Sequence, residues 1–407
     1  MGDPEQYIAS VKDLECMLEL FERQANIHIH DARIKLPKVF RNISFWDGIV
    51  LGPTFFSQRT RKKYVRQMEK KYSWIKDSKA IKIALPQDDY DCSKILDEWL
   101  VRWKFDYCIT PVTKHLDALY PKFSKQGIIE KGFTAYISDK WIQKWVDIKP
   151  TNLRKTDISY RATHLPANFG SLGQLKSQIA KTFTESFNSR ILNLEIDISC
   201  RPEDKLYGDL WHDFLENSKF TLATPSGSSL IDTTGKIREC VSSQTAEKSF
   251  AQIANICFPE LDNKYIFDCI GPRHIEAALA GTVMIATEGE YSNVLVADEH
   301  YIKLEKDCSN IDEILEKIND HSLVNQIMLK AKEKVLSIPE LRLSWIANRC
   351  FNWIPDKKEL ESLKTYTQMF KIMHFRVLRF YIKIKTFIFW IFYRRIILLY
   401  RMISKFI

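Results

Sequence analysis

Short apolar runs alternating with helical stretches, in two successive blocks, constrain the fold of this chain more than any other feature. In the first block, Gly48-Ile-Val-Leu-Gly52 (closed by Pro53), Ile81-Lys-Ile-Ala-Leu85 and Tyr107-Cys-Ile-Thr110 are separated by helical stretches over 58–72 and 93–104. Runs this short and apolar read as strands covered on both faces, and the helices between them as crossovers of a parallel sheet. The pattern weakens over 140–157 and then restarts, with strands expected at 192–198, 220–224, 282–287 and 301–304 and helices at 273–280 and 309–319. Ser309 is the expected N-cap of the last helix, with Asp312 and Glu313 in its first turn. The expected fold class is α/β: two doubly wound, Rossmann-like domains facing a cleft, at 1–145 and 150–350. Residues 1–43, with Leu14, Met17, Leu18 and Phe21 at helical spacing, read as a helical lead-in.

A chain of 407 residues, 45% hydrophobic and 27% charged, has material for two or three packed domains. The nine cysteines form no C-x-x-C pair and are odd in number. Free thiols in a reducing compartment are therefore expected, and no zinc site. Residues 1–6 are acidic and carry no apolar segment, so no secretory leader is expected and the location is expected to be cytoplasmic. The net charge of +9 resides entirely in residues 369–407, which hold nine Lys or Arg and no acid. The rest of the chain is neutral, which argues against a basic body that binds nucleic acid.

The chemistry concentrates between Phe267 and Leu304. Pro272 suits a first helical turn, Arg273 and Glu276 share a helix face, and Gly281 fits the residue after the helix. A buried strand and a Gly289-bearing loop follow, at the strand end where open α/β sheets place ligands. Upstream, Gln87-Asp88-Asp89-Tyr90-Asp91 either caps the next helix through Asp91 or Ser93, or offers Asp88 or Asp89 as a base. Ser226-Gly227-Ser228-Ser229 is either a strand-end turn or a ligand loop. Arg161, Lys176 and Arg273 are either solvated charges or donors to an anion.

These segments resemble glycosyltransferases of the GT-B fold, in particular bacterial family 1/family 4-like transferases from polysaccharide gene clusters. Arg273-His-Ile-Glu276-Ala with Gly281, an apolar strand and Thr287-Glu-Gly289 is similar to their donor-site signature. Ile158-Ser-Tyr-Arg161 with Leu165-Pro166, Gly170, Gly173 and Lys176, the Leu222–Asp232 stretch and the Gln87–Asp91 stretch match in the same order. The resemblance implies a nucleotide-diphosphate sugar as donor, a glycan or lipid-linked acceptor, and no metal or other cofactor. Asp268 and Glu276 stand at that family's spacing for two acids, with Asp replacing the first Glu. Glu276 would hold the ribose hydroxyls. Arg273, Arg161, Lys176 and backbone amides at Ser226, Gly227, Ser228, Gly289, Glu290 and Tyr291 would hold the diphosphate. Two other readings stay open: a polyol-phosphate transferase, and a non-catalytic donor-binding scaffold.

The tail at 351–407 is expected to be helical. Between Lys385 and Arg394 too few uncharged residues intervene to span a bilayer. Arg376, Arg379, Lys383, Arg394, Arg401 and Lys405 fall in a sector of roughly 80° on a helical wheel, with Phe, Ile, Leu, Tyr and Trp390 elsewhere. That pattern suits a helix lying on an anionic membrane surface, in preference to a partner helix or a nucleic-acid arm.

Overall fold

The computed structural model describes residues 44–188, 194–245 and 247–354, together with 30, 32, 36 and 38–41. The expected lead-in helix around Leu14–Phe21 and the basic tail at 369–407 lie outside the described residues.

The first sheet contains β1 (Gly48–Leu51), β2 (Ile81–Ala84), β3 (Tyr107–Thr110) and β4 (Ile128–Lys131) in that order, all parallel. Helices α1 (Lys62–Tyr72) and α2 (Ser93–Arg102) connect successive strands. Trp99 and Trp103, at the inner face of α2 and just past its end, pack against Phe55. They form one aromatic layer.

The second sheet is built from β5 (Thr156–Arg161), α3 (Gly170–Asn188), β6 (Ile196–Ser199), α4 (Asp209–Glu216) and β7 (Ser218–Ala223). An excursion follows: β8 (Ser226–Ser228), α5 (Lys236–Ser242), α6 (Phe250–Cys257) and β9 (Phe267–Cys269). Then come α7 (Pro272–Ala280), β10 (Val283–Thr287), β11 (Ile302–Leu304), α8 (Ile311–Asn319), α9 (His321–Ser337) and α10 (Leu343–Trp353). The strand order is β11-β10-β7-β5-β6, all parallel, while β8 and β9 form a separate antiparallel ribbon. All five residues of β10 are buried. Met284 and Ala286 face the layer of α7 and α9, and Val283 and Ile285 face that of α3 and α8, as the two-residue period of a strand requires. The chain runs from β5 to β6 on one side and then crosses to β7 on the other. The winding therefore reverses between β5 and β7, and the crevice outside their carboxyl ends is where doubly wound sheets take ligands.

The stretch at 140–157 is anchored. Trp145 and Arg154 are buried, and the Arg154 guanidinium donates to the carbonyls of Lys149, Ser218 and Ala280 and to Thr282 Oγ1. Gly281 closes α7 at φ +68, where a Cβ would also meet Ile148 at 2.5 Å.

Three expectations are corrected. First, α10, placed by its sequence position in the 150–350 domain, packs on the first sheet. Leu343, Ile346, Ala347 and Cys350 recur at helical spacing and cover Ile83 and Ile109. Second, Ser309 does not cap α8. Asn310 holds that position, and its side chain instead ties the loop to β11, accepting from Glu305 N–H and donating to the Lys303 carbonyl. Third, Cys240 and Cys257 are joined in a disulfide, whereas Cys92, Cys108, Cys200, Cys269, Cys308 and Cys350 are free. Among the described residues no helix is long and apolar enough to cross a membrane.

Candidate functional site

The carboxyl ends of β5 and β7 lead directly to several residues singled out above. Gly227 sits at φ +122 with its α-carbon against the Phe267 carbonyl, where a Cβ would lie 1.8 Å away, so only glycine lets β8 pair with β9. This pairing carries Ser226 to the amino end of α7, where a Cβ on Gly271 would stand 2.3 Å from Ser226 Oγ. His274 fixes that helix end. Its Nδ1 accepts from Gly271 N–H (2.8 Å) and its Nε2 donates to the Thr224 carbonyl (3.0 Å). Burial and the adjacent Arg273 charge push His274 down to about 3, so it is a neutral brace.

Arg273 projects from the first turn of α7. Its Nη1 donates to the Arg161 carbonyl (2.7 Å), and its guanidinium lies over the rings of Tyr160 and Trp211. Lys176 on α3 is half-buried, and among the described residues its ammonium has no hydrogen-bond or ion-pair partner. Burial, then the Arg273 charge, push it down to about 8, while Asp88 across the groove pulls the other way. Two cations within electrostatic reach of each other, one lacking an acceptor, make a place that is short of an anion.

The neighbouring cation is different. Arg161 donates to the carbonyls of Tyr160, Asp197 and Asp204 and to Asp197 Oδ2 (2.8 Å), and lies over Phe214. Four of its five N–H donors are engaged in these bonds, so it is far less open to an anion than Lys176.

Glu276 is 4% exposed and faces Trp211 and His212 of α4. Its Oε2 accepts from Trp211 Nε1 (2.8 Å), while Oε1 lies 3.7 Å from His212 Nε2. His212 packs against Trp141 and Trp145, and its Nδ1 has no hydrogen-bond partner among the described residues. Trp211 and His212 escaped the sequence reading, because only the packing of α4 on α7 brings them to Glu276.

Asp268 lies at the groove. Burial raises its pKa, and Oδ2 accepts from Glu290 N–H (2.7 Å). The Glu290 carboxylate pairs with Lys114 in the loop after β3. Gly289 lets this loop pass over Pro225. Tyr291 is wholly buried and donates to the Thr287 carbonyl, so its side chain belongs to the core. Ser228 is likewise buried, its hydroxyl within reach of the carbonyls of Phe169 and Leu230 and accepting from Leu230 N–H.

The two acids proposed as bases part company. Asp89 is 1% exposed, and Thr110 and Tyr120 donate to its Oδ2 while Oδ1 has no partner among the described residues. Burial raises its pKa, so a carboxyl in this place tends toward the neutral form, enclosed within the first sheet. Asp88 is exposed at φ +53 and accepts from Tyr90 (2.7 Å). Neither Asp91 nor Ser93 caps α2. Cys92 holds the cap position, and Asp91 pairs with Arg238.

The groove is partly spanned by the chain itself. Tyr90 stacks on Phe267 at 5.7 Å, and His115 stands edge-on to Phe267 and Tyr265.

No family model matches the chain, and no curated protein does. Solved structures show distant likenesses. TarM is 12% identical with a TM-score of 0.39, covering 70% of this chain and 53% of that one, so the chain spans about half the length of that relative. A glycosyltransferase from Rickettsia africae gives 12% identity and a TM-score of 0.42 over 82% of this chain and 86% of that one. Anabaena HepE, solved with UDP-glucose, gives 8% and 0.39 over 74% and 80%. Likenesses this remote assign no role to any residue.

Proposed function

We propose that this chain is a GT-B-type glycosyltransferase that takes a nucleotide-diphosphate sugar at the carboxyl ends of β5 and β7. The observation that carries this reading is the anion-deficient pair Lys176 and Arg273 at the switch point of a doubly wound sheet. A diphosphate placed there would meet Lys176, Arg273, Ser226 and the positive end of α7. Charge grows on the leaving nucleotide during transfer, so fixed cations stabilise the transition state more than the ground state. The charge supplied by these residues makes a bound metal unnecessary in this reading. Glu276 would accept a ribose hydroxyl on Oε1, since Trp211 already holds Oε2.

The acceptor, a glycan or lipid-linked sugar, would enter past Asp88, and the tail at 369–407 would hold the enzyme on an anionic membrane. Surface polysaccharide assembly fits such an acceptor.

The groove-spanning contacts at Tyr90–Phe267 and Lys114–Glu290 favour a second reading, a donor-binding scaffold without turnover. Release of nucleoside diphosphate from a panel of nucleotide sugars separates the two. Turnover that drops on Glu276→Ala supports the transferase, and tight binding without release on any acceptor supports the scaffold. Release of a nucleoside monophosphate would instead indicate polyol-phosphate transfer. Deleting residues 369–407 should move the protein from membrane to soluble fractions, and unchanged membrane recovery would refute the anchoring role.

A further inference from the structure

The excursion between β7 and α7 reaches from the second sheet to the first. Asp232 N–H donates to the Tyr90 carbonyl (2.9 Å), Ser93 N–H to the Asp232 carbonyl (3.3 Å) and Lys94 N–H to the Thr233 carbonyl (3.0 Å). Arg238, on α5, grips both oxygens of Asp91. The Asp232 carboxylate accepts from the amides of Gly235 and Arg238, setting the amino end of α5. These contacts tie the loop after β2 to the second sheet beside the Tyr90–Phe267 stack.

What holds the excursion in shape is thin. Helices α5 and α6 have seven and eight residues, and neither has a fully buried residue. Helices so short do not persist on their own. The apolar cluster beneath them fully buries Ala167, Leu230 and Phe258, and the two helices add only half-buried side chains to it, among them Ile237, Val241, Phe250 and Ile253. The covalent link from Cys240 in α5 to Cys257 in α6 closes the loop. Both half-cystines are only half-buried, whereas five of the six free cysteines among the described residues are buried.

We propose that Cys240–Cys257 is a thiol–disulfide exchange site, through which a dithiol reductant of the thioredoxin kind loosens the excursion and releases the Arg238–Asp91 latch over the groove. One reductant thiolate attacks a protein sulfur, giving a mixed disulfide and freeing the other cysteine as a thiolate that takes up a proton. The second reductant thiolate then displaces the remaining protein thiolate, which is protonated in turn. Two electrons and two protons pass to the protein, and the reductant leaves as a disulfide. The groove is the one invoked for the donor, but the following test requires no catalysis.

The full-length protein is compared after oxidised glutathione and after dithiothreitol, by native-state alkylation with mass analysis and by amide hydrogen exchange. Reduction should add two alkyl groups, at 240 and 257, and speed exchange about tenfold across 232–242 and also across 87–94. A Cys240→Ser/Cys257→Ser variant should show the fast pattern with or without dithiothreitol. Arg238→Gln should free 87–94 while leaving 250–257 slow with the disulfide intact. The proposal is overturned if no bond forms under oxidised glutathione. It is equally overturned if 87–94 exchanges at one rate in both redox states of the wild-type protein, a comparison that stands even if the double variant does not fold.

Discussion

Two seams fasten later parts of the chain to the first sheet, and they are made of different material. At one, α10 lays Leu343, Ile346, Ala347 and Cys350 on Ile83 and Ile109, Trp353 stacks on Tyr107 at 3.9 Å, and Ile137 exchanges backbone hydrogen bonds with Leu341 and Leu343. At the other, beside the groove, charges and loop amides do the joining: Asp91 with Arg238, Lys114 with Glu290, and Lys62 with Glu239. Apolar burial is lost only by exposing the surface to water, whereas ion pairs and loop hydrogen bonds exchange readily with solvent. The first seam is therefore the fixed one, and the second is the one that water and salt loosen more readily.

The largest effect should come from the fixed seam. Ile346→Ala removes a side chain buried to 1% exposure, and denaturant unfolding should show a loss of about 2–5 kcal/mol. Lys176→Met should move stability the other way. A half-buried ammonium without a partner is a burden on the fold, so the ligand-free variant should be about 1–2 kcal/mol more stable at pH 7, part exposure having already softened the penalty. The wild-type lysine is depressed to about 8 in the fold, so its penalty is complete below pH 8 and fades as pH rises toward 10.5. The gain from Lys176→Met should shrink over the same window. Arg238→Gln breaks a pair whose partners are 32% and 10% exposed, and should cost about 1 kcal/mol in thermal unfolding. Lys62→Ala, at an ion pair more than 60% exposed on both sides, should leave the melting curve where it was.

The sequence showed the strands of the fixed architecture best where burial is two-sided. Val283–Thr287 has no polar residue before its last position, and β2 and β3 are nearly as plain. It hid β5, where no strand is expected because Thr156-Asp157 and Ser159 break the plain apolar run. It also hid β4, where Ile128 is exposed and a charged pair follows. In the site, residue types were legible but their engagements were not. Arg161 and Lys176 look alike in the sequence; Asp197 and the Asp204 carbonyl, 36 and 43 residues from Arg161, satisfy the one and leave the other bare. Asp88 and Asp89 are adjacent, yet the left-handed turn at Asp88 sends one outward and the other under Tyr120. The Cys240–Cys257 link joins residues 17 apart with no local spacing motif to announce it.

The central claim is that Lys176 and Arg273 wait for the diphosphate of a nucleotide. Calorimetric titration of nucleoside diphosphates from pH 6.5 to 9.5 tests it most directly. Wild-type affinity should weaken as pH rises through about 8 and Lys176 loses its proton, and Lys176→Met should bind at least ~10-fold more weakly at pH 7 and lose that pH dependence. Equal affinity in the two proteins, or a wild-type affinity flat across the range, would contradict it.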